Sequence, residues 1–260
     1  MPDSPWRVAM ASSIGTSHVA AAQPCQDAHF HVEAIGPDDE RIMVLAVSDG
    51  AGTAALAEVG AALVCDTFGR LVAAYVGQGG RVGAIGRPLV ERWITGVIYR
   101  LELHARQTRA AVEDYACTLL AAAVGEREAM FVQIGDGAIV LSAGEGWKHV
   151  FWPQHGEFAN TTNFVTSAHR FEALELEVSN RRVEELAIFT DGLEHLVLQK
   201  AAKAVHAPFF ESMFPAVRRS IASGVDAELS RALGGYLSSA PVNDRTDDDK
   251  TLILASRRRA

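Results

Sequence analysis

The residues best suited to chemistry are aspartates that stand where apolar runs end. Asp49 follows MVLAVS, Asp136 follows MFVQIG and Asp191 follows LAIFT, and each is followed at once by glycine. Asp-Gly is also a very common turn signal, so one such pair alone would indicate a turn. Three pairs at the same kind of boundary favour a shared site, because the ends of strands that lie side by side converge.

Two further acidic positions mark strand boundaries and enlarge the predicted cluster. Asp27 precedes the apolar run around Phe30, and the triple aspartate 247–249 precedes KTLIL. Converging carboxylates repel one another unless a cation lies between them. Oxygen ligands without paired cysteines or spaced histidines select hard cations, so the sequence predicts magnesium or manganese rather than zinc. An EF-hand counted from Asp244 is excluded, because its sixth position is Asp249 rather than glycine.

Composition narrows the class of protein. A formal charge of −8 disfavours nucleic acid as a partner, since phosphate binding depends on clustered Lys and Arg. The 3 cysteines lack paired spacing, which favours a reducing compartment and predicts a cytoplasmic location. The most apolar long window, 54–76, is interrupted by Glu58, Asp66 and Arg70, so no membrane span is predicted.

Apolar periodicity divides the chain into strands and helices. Strands are predicted at 8–14, 28–34, 42–47, 117–124, 129–135, 138–144, 171–178, 185–190 and 250–256. Helices are predicted at 54–75, 88–108, 208–223 and 227–237. The polar stretch between the middle and later strands predicts a loop or flap at 151–166.

The order of these elements predicts an α+β fold of stacked antiparallel sheets with helices outside. The hairpin of 28–34 and 42–47 is expected at the centre of its sheet, and the runs from 117 to 144 are expected to form one antiparallel meander. No change in composition marks a linker, so residues 1–260 are expected to form a single domain.

The segments that carry the aspartates resemble, in order and approximate spacing, the metal-dependent protein phosphatases of the 2C type. They are SHVAAAQPCQDAHF, VLAVSDGAGTA, ACTLLAAAV, VQIGDGAIVL, FVTS, AIFTDGLEHL and DDDKTLILA. The resemblance covers essentially the whole chain and is closest to the bacterial branch with Gln-Asp in the first motif. It implies a four-layer α/β/β/α sandwich, in which two stacked antiparallel sheets are flanked by helices, and a single catalytic domain over 1–260.

The resemblance also implies roles for individual residues. Asp49 would bridge two Mn²⁺ or Mg²⁺ ions, and the carbonyl of Gly50 would serve the second. Asp191 would hold the first ion, Asp27 would act through metal-bound water, and Asp136 would help to bind a third, weaker ion. Two close ions lower the pKa of a bridging water and neutralise phosphoryl oxygens, so hydroxide would attack phosphorus directly.

One member of the triple aspartate would complete the first metal site. Asp248 is chosen because Thr251 matches the Ser or Thr that follows the family's Asp-Asn pair by two positions. Asp247 and Asp249 remain alternatives. Since no covalent phosphoenzyme is required, Cys25 is expected to be a small buried thiol rather than a nucleophile.

Two positions depart from the family's pattern. Many relatives carry a phosphate-binding Arg five residues before the first-motif Asp, where this chain has Ala22. Some relatives carry a His after the second-motif Gly, proposed to protonate the leaving group, where this chain has Ala51. His18 is a candidate for either task, as a catalytic acid or a phosphate contact; the alternative is a purely structural histidine.

The sequence is therefore compatible with two functions. The first is a metal-dependent serine/threonine protein phosphatase whose partner is a phosphorylated protein, with neither nucleic acid nor membrane involved. The second is a catalytically weak relative that binds phosphoproteins or metal as a regulatory module. The full set of acidic positions favours the enzyme, whereas loss of the Arg favours the module.

Overall fold

The structure, a computed structural model, describes residues 4–142, 146–154 and 162–258. Its strands are β1 (Trp6–Ser13), β2 (Ala28–Ile35), β3 (Arg41–Ser48), β4 (Leu119–Val124), β5 (Ala129–Ile134), β6 (Ala138–Ser142), β7 (Trp147–His149), β8 (Glu175–Ser179), β9 (Glu185–Phe189), β10 (Leu198–Gln199), β11 (Ala204–Val205), β12 (Gly224–Val225) and β13 (Lys250–Arg257). Its α-helices are α1 (Thr16–Ala20), α2 (Ala57–Gly77), α3 (Arg87–Thr108), α4 (Arg170–Ala173), α5 (Glu194–Val197), α6 (Ala207–Arg219), α7 (Ala227–Leu237) and α8 (Ala240–Asn243).

Two large sheets form the centre of the molecule. One has the order β12-β1-β13-β9-β6-β7 and the other the order β2-β3-β4-β5-β8. Neighbouring strands are antiparallel, apart from the short parallel pair of β1 and β12. β13 follows the other strands in sequence, yet it lies inside its sheet between β1 and β9.

Alternate residues of the central strands face two different cores. On β3, Val44 and Ala46 pack with α2 and α3, whereas Met43, Leu45 and Val47 pack between the two sheets. A third core lies between the six-stranded sheet and helices α6 and α7. Burial on both faces explains why these strands read as continuous apolar runs. The predicted four-layer sandwich is confirmed.

Helix α2 is long and apolar enough to cross a membrane by length and composition. It packs instead on β2, β3 and α3, and it places Val64, Phe68 and Val72 in the helix-side core. Its apolar surface therefore belongs to the interior of this fold.

The predicted meander from 117 to 144 is wrong, because the chain changes sheet after β5. β4 pairs with β5, but β6 pairs with β7 and β9 in the other sheet. Gly135 makes the crossing possible with a φ of 125°, a conformation that L side chains rarely adopt. Asp136 lies in this connection between the two sheets.

The prediction that the hairpin of β2 and β3 is central is also wrong, since β2 is an edge strand. Its half-buried pattern fits an edge, and the polar side chains at His29, His31 and Glu33 alternate along it. Two boundaries differ as well: α6 ends at Arg219, and the start of the run at 171–178 is helical. The predicted flap at 151–166 falls partly on 155–161, outside the described residues.

Candidate active site

Four aspartates converge where strands of the two sheets end. Asp49 directly follows β3, Asp191 lies two residues after β9, and Asp248 lies two residues before β13. Asp136 lies in the crossing between β5 and β6. Ligand oxygens of Asp49, Asp136 and Asp191 all lie within 4.8 Å of one another. The three Asp-Gly pairs thus meet at one point, as the sequence predicted.

These aspartates border a cavity of about 170 Å³. That volume suits a phosphoryl group with its immediate surroundings rather than a large ligand. Its walls combine carboxylates with small residues and one imidazole: His18, Asp49, Gly50, Ala51, Gly52, Thr118, Asp136, Thr162, Phe164, Asp191 and Asp248.

The backbone of Asp49 is fixed by Thr118, just before β4. The Thr118 hydroxyl accepts a hydrogen bond from the Asp49 N–H at 2.9 Å. The Thr118 N–H donates to the Asp49 carbonyl at 2.8 Å. With the main chain held on both sides, the Asp49 side chain keeps its orientation toward the cavity.

Asp27 lies behind Asp49 and outside the cavity wall. Its Oδ2 accepts a hydrogen bond from the Thr190 hydroxyl at 2.8 Å. Its Oδ1 is buried without a hydrogen-bond partner in the described part of the chain. Burial raises the pKa of Asp27 to about 8, and the nearby charge of Asp249 contributes in the same direction.

The carboxyl groups that line the cavity also have raised pKa values. Burial, followed by the charges of Asp27 and Asp191, raises the pKa of Asp49 well above its usual range. Burial and the charge of Asp136 raise the pKa of Asp191 to about 7. Burial raises the pKa of Asp248 as well. Without a counter-charge, burial and mutual repulsion therefore make ionisation of these carboxyls less favourable than in water.

A divalent cation fits this donor set. Oδ1 of Asp191, like Oδ1 of Asp27, is buried and has no hydrogen-bond partner among the described residues. Carboxylate oxygens are the ligands that Mg²⁺ and Mn²⁺ prefer, and a cation between them would offset both their repulsion and their burial. The residues present therefore match the metal dependence that the resemblance implies.

The triple aspartate is divided between two tasks. Asp249 is 2% exposed and points inward, where its carboxylate accepts hydrogen bonds from the Gly15 N–H (2.6 Å), the Gln26 N–H (2.5 Å) and Nδ1 of His18 (2.8 Å). Asp248 lines the cavity, whereas Asp247 and Asp249 do not. This arrangement favours Asp248 as the metal ligand.

The two departures from the family's pattern take different positions. Ala22 is exposed, has a φ of 53° and lies outside the cavity wall. Ala51 lines the cavity but carries no ionisable group. His18, on α1, also lines the cavity, together with Asp49 and Asp248.

Cys25, which was expected to be a small buried thiol, is half-buried. Burial, together with the charges of Asp27 and Asp249, raises the pKa of its thiol to about 12. Because the thiolate is the reactive form of cysteine, this side chain is a poor nucleophile at neutral pH.

Three supporting residues were not identified from the sequence. Thr118 orients Asp49, Thr190 orients Asp27, and Lys250 donates from Nζ to the Asp248 carbonyl at 3.0 Å. Thr190 and Lys250 directly adjoin recognised aspartates, so their positions in the sequence were a usable signal. Thr118 is distant from Asp49 in sequence, and no pattern marks it.

Comparisons with known proteins converge on one group. Residues 14–234 match the family model described as protein phosphatase 2C. Serine/threonine-protein phosphatase 3 of Escherichia coli (strain K12) is 36% identical over 250 residues, which cover 96% of this chain and 98% of that protein.

Solved structures share the fold at lower identity. PppA of Pseudomonas aeruginosa, described as a key regulatory component of T6SS, aligns with a TM-score of 0.62 and 18% identity, over 98% of this chain and 99% of that chain. The serine/threonine phosphatase Stp1 of Staphylococcus aureus aligns with a TM-score of 0.59 and 16% identity, over 97% and 95% of the two chains.

Proposed function

The chain belongs to the protein phosphatase 2C family and is a metal-dependent serine/threonine protein phosphatase, and we propose that its cavity at Asp49, Asp191 and Asp248 is the catalytic site. The observation that carries this proposal is the convergence of three Asp-Gly carboxylates within 4.8 Å. Phosphorylated proteins are its substrates, and we propose phosphoserine and phosphothreonine as the groups hydrolysed.

We assign the metal ligands as follows. Asp49 would contact both of two Mn²⁺ or Mg²⁺ ions, the carbonyl of Gly50 would serve the second, and Asp191 and Asp248 would serve the first. Asp27, which lies outside the cavity wall, would act indirectly through water. The ions would supply Lewis-acid activation of water and would neutralise the phosphoryl oxygens.

Asp136 is proposed to help hold a third, weaker ion. It belongs to the same cluster as Asp49 and Asp191. The Thr162 hydroxyl donates a hydrogen bond to its Oδ2, so part of its acceptor capacity is already used. A partly occupied carboxylate supports weaker metal binding at this position than at Asp49.

The small cavity accepts the phosphoryl group, whereas the protein part of the substrate lies outside it. We propose that His18 donates the proton to the departing serine or threonine oxygen, because Ala51 has none to give. The cytoplasm is the proposed compartment, and neither nucleic acid nor a membrane is a proposed partner. A catalytically weak regulatory module is not favoured, since a relative with 36% identity over 96% of this chain is named a phosphatase.

The test is hydrolysis of a phosphothreonine peptide by the purified protein with manganese, with magnesium and with EDTA. We expect activity with a metal and background rates with EDTA. Asp49→Asn and Asp191→Asn should each reduce manganese-dependent turnover to background while the far-UV circular dichroism stays unchanged.

Asp39→Asn is the matched control for these two variants. Asp39 is exposed, lies in the turn at the opposite end of β3 from Asp49, and has a φ of 58°, which asparagine tolerates. This variant should keep full activity. Near-normal activity in either site variant would show that the metal centre is wrongly assigned.

A further inference from the structure

His18 and Asp249 form a buried pair beside the proposed metal centre. His18 is 9% exposed and Asp249 is 2% exposed, and His18 Nδ1 lies 2.8 Å from Asp249 Oδ2. The pair joins α1 to the residue directly before β13, which is 231 positions away in sequence. Such a contact exists only in the folded protein.

Asp249 is itself rigidly held. Its Oδ1 accepts from the Gly15 N–H at 2.6 Å, and its Oδ2 accepts from the Gln26 N–H at 2.5 Å. Gly15 directly precedes α1, and Gln26 directly precedes Asp27. These two backbone N–H groups therefore fix the orientation of the Asp249 carboxylate independently of His18.

The hydrogen bonds of Asp249 determine which nitrogen of the His18 ring donates to it and which nitrogen remains for the substrate. Since Oδ2 already accepts from the Gln26 N–H, it acts as an acceptor toward the ring as well, and Nδ1 is the donor. Nδ1 lies against the buried carboxylate of Asp249, while His18 lines the cavity with Asp49 and Asp248. Nε2 is the nitrogen that remains for the substrate.

We propose that Asp249 is a positioning residue that holds His18 with Nε2 toward the leaving oxygen, and that the pair replaces the histidine missing at Ala51. Asp249 touches neither substrate nor metal and acts through His18. The inference rests on the proposed function of the cavity. It also explains an aspartate where the family pattern has asparagine, because an amide could not accept from all three N–H donors.

The proposed step replaces the serine or threonine oxygen on phosphorus by the oxygen of water. The oxygen of water forms a bond to phosphorus, and the bond from phosphorus to the serine or threonine Oγ breaks with its electron pair on Oγ. Oγ takes the proton from Nε2 of the His18 imidazolium, which keeps its other proton on Nδ1 against Asp249, and leaves as the alcohol. One proton of the attacking water returns to His18 through solvent, and the other stays with the phosphate product.

Substrates with different leaving groups separate this role from a structural one. Serine alkoxide is a poor leaving group that needs a proton, whereas nitrophenolate scarcely needs one. His18→Gln should slow phosphoserine-peptide turnover about 100-fold or more. Asp249→Asn should slow it by up to about 100-fold through misorientation. Both variants should change manganese-dependent nitrophenyl phosphate turnover by less than about threefold, with kcat rather than KM affected for the peptide.

The double variant provides the decisive comparison. If Asp249 acts through His18, adding Asp249→Asn to His18→Gln should cause no further loss on the peptide. An undiminished further loss, or equal losses on both substrates, would overturn the proposal in favour of a structural or metal-holding Asp249. If the unaltered enzyme hydrolyses neither substrate with manganese, the proposed function itself fails.

A measurement on the unaltered protein covers the case in which Asp249→Asn does not fold. Nitrogen-15 NMR of labelled histidine, with His18 assigned by its absence in His18→Gln, reports which ring nitrogen carries the proton. We expect the neutral ring to be protonated at Nδ1. Protonation at Nε2 in the neutral ring would contradict the proposed orientation.

Discussion

Asp27 combines deep burial with an oxygen that lacks a hydrogen-bond partner among the described residues. Its pKa is raised to about 8, so the folded, metal-free protein binds a proton that the unfolded chain releases near pH 4. The stability contributed by this proton is complete below the unfolded pKa and is lost as the pH rises through about 8. Asp191, with a pKa raised to about 7, acts in the same direction.

We therefore predict that, in EDTA, the melting temperature falls between about pH 6.5 and 8.5. Burial lowers the pKa of His29 and His31, and this has the opposite effect, but both are already neutral in either state over most of this window. Asp27→Asn should flatten the decline, and manganese should raise the melting temperature most at the alkaline end. Equal slopes for the two proteins would contradict this account.

At the residue scale, the sequence predicted the acidic positions better than their surroundings. Asp49, Asp136 and Asp191 were recognisable because each ends an apolar run and precedes glycine. The inward orientation of Asp249 was not predictable, since adjacent aspartates look alike in sequence and only the folded chain brings Gly15 and Gln26 to one of them. The contact of Thr118 with Asp49 was hidden for the same reason.

At the scale of elements, α2 packs so closely against the segment before β4 that position 60 of the helix accommodates only glycine. A Cβ on Gly60 would lie 2.3 Å from the carbonyl oxygen of Tyr115. Tyr115 ends a short 3₁₀ helix, Val112–Tyr115, that is followed by Thr118 and then by β4. The packing of α2 thus helps to set the segment that orients Asp49.

We predict that Gly60→Ala destabilises the protein by about 1–3 kcal/mol, because backbone on both sides must move apart. Gly77→Ala is the matched control: it lies in the last turn of the same helix, and a Cβ there meets nothing within 4 Å. That change should be neutral or stabilising by up to about 1 kcal/mol. Urea unfolding measures both, and equal stabilities for the two variants would refute the close approach.

Element types were predictable because periodicity reports which faces are buried. Helix 227–237 was predicted with its observed ends, and α2 and α3 within a few residues. Sheet membership was not predictable in the same way. The runs at β5 and β6 look alike in sequence, and nothing in them indicates that Gly135 turns the chain into the other sheet.

At the scale of the whole molecule, the two sheets share the core between them. Leu45 and Phe131 of one sheet pack with Ile188 and Ile253 of the other. If either sheet unfolded, the apolar side chains of the other sheet in this core would be exposed to water. The sandwich is therefore expected to behave as one domain.

We predict a single cooperative unfolding transition in urea. Far-UV circular dichroism, which reports the helices and strands, should coincide with the fluorescence of Trp6, which is fully buried in the inter-sheet core. A Trp6→Phe variant identifies the contribution of this residue to the signal. Two separated transitions would instead indicate that the layers unfold independently.

The position of β13 inside its sheet has a consequence for synthesis. Along eight residues, from Trp6↔Arg257 to Ser13↔Lys250, β1 pairs with a strand that the ribosome makes after the other strands of the two described sheets. Until then the growing chain carries β1 and β9 with unpaired edges, the kind of surface on which nascent proteins aggregate. Because Asp248 precedes β13 by two residues, closure of the sheet and assembly of the metal site happen together, and a truncated chain can acquire neither.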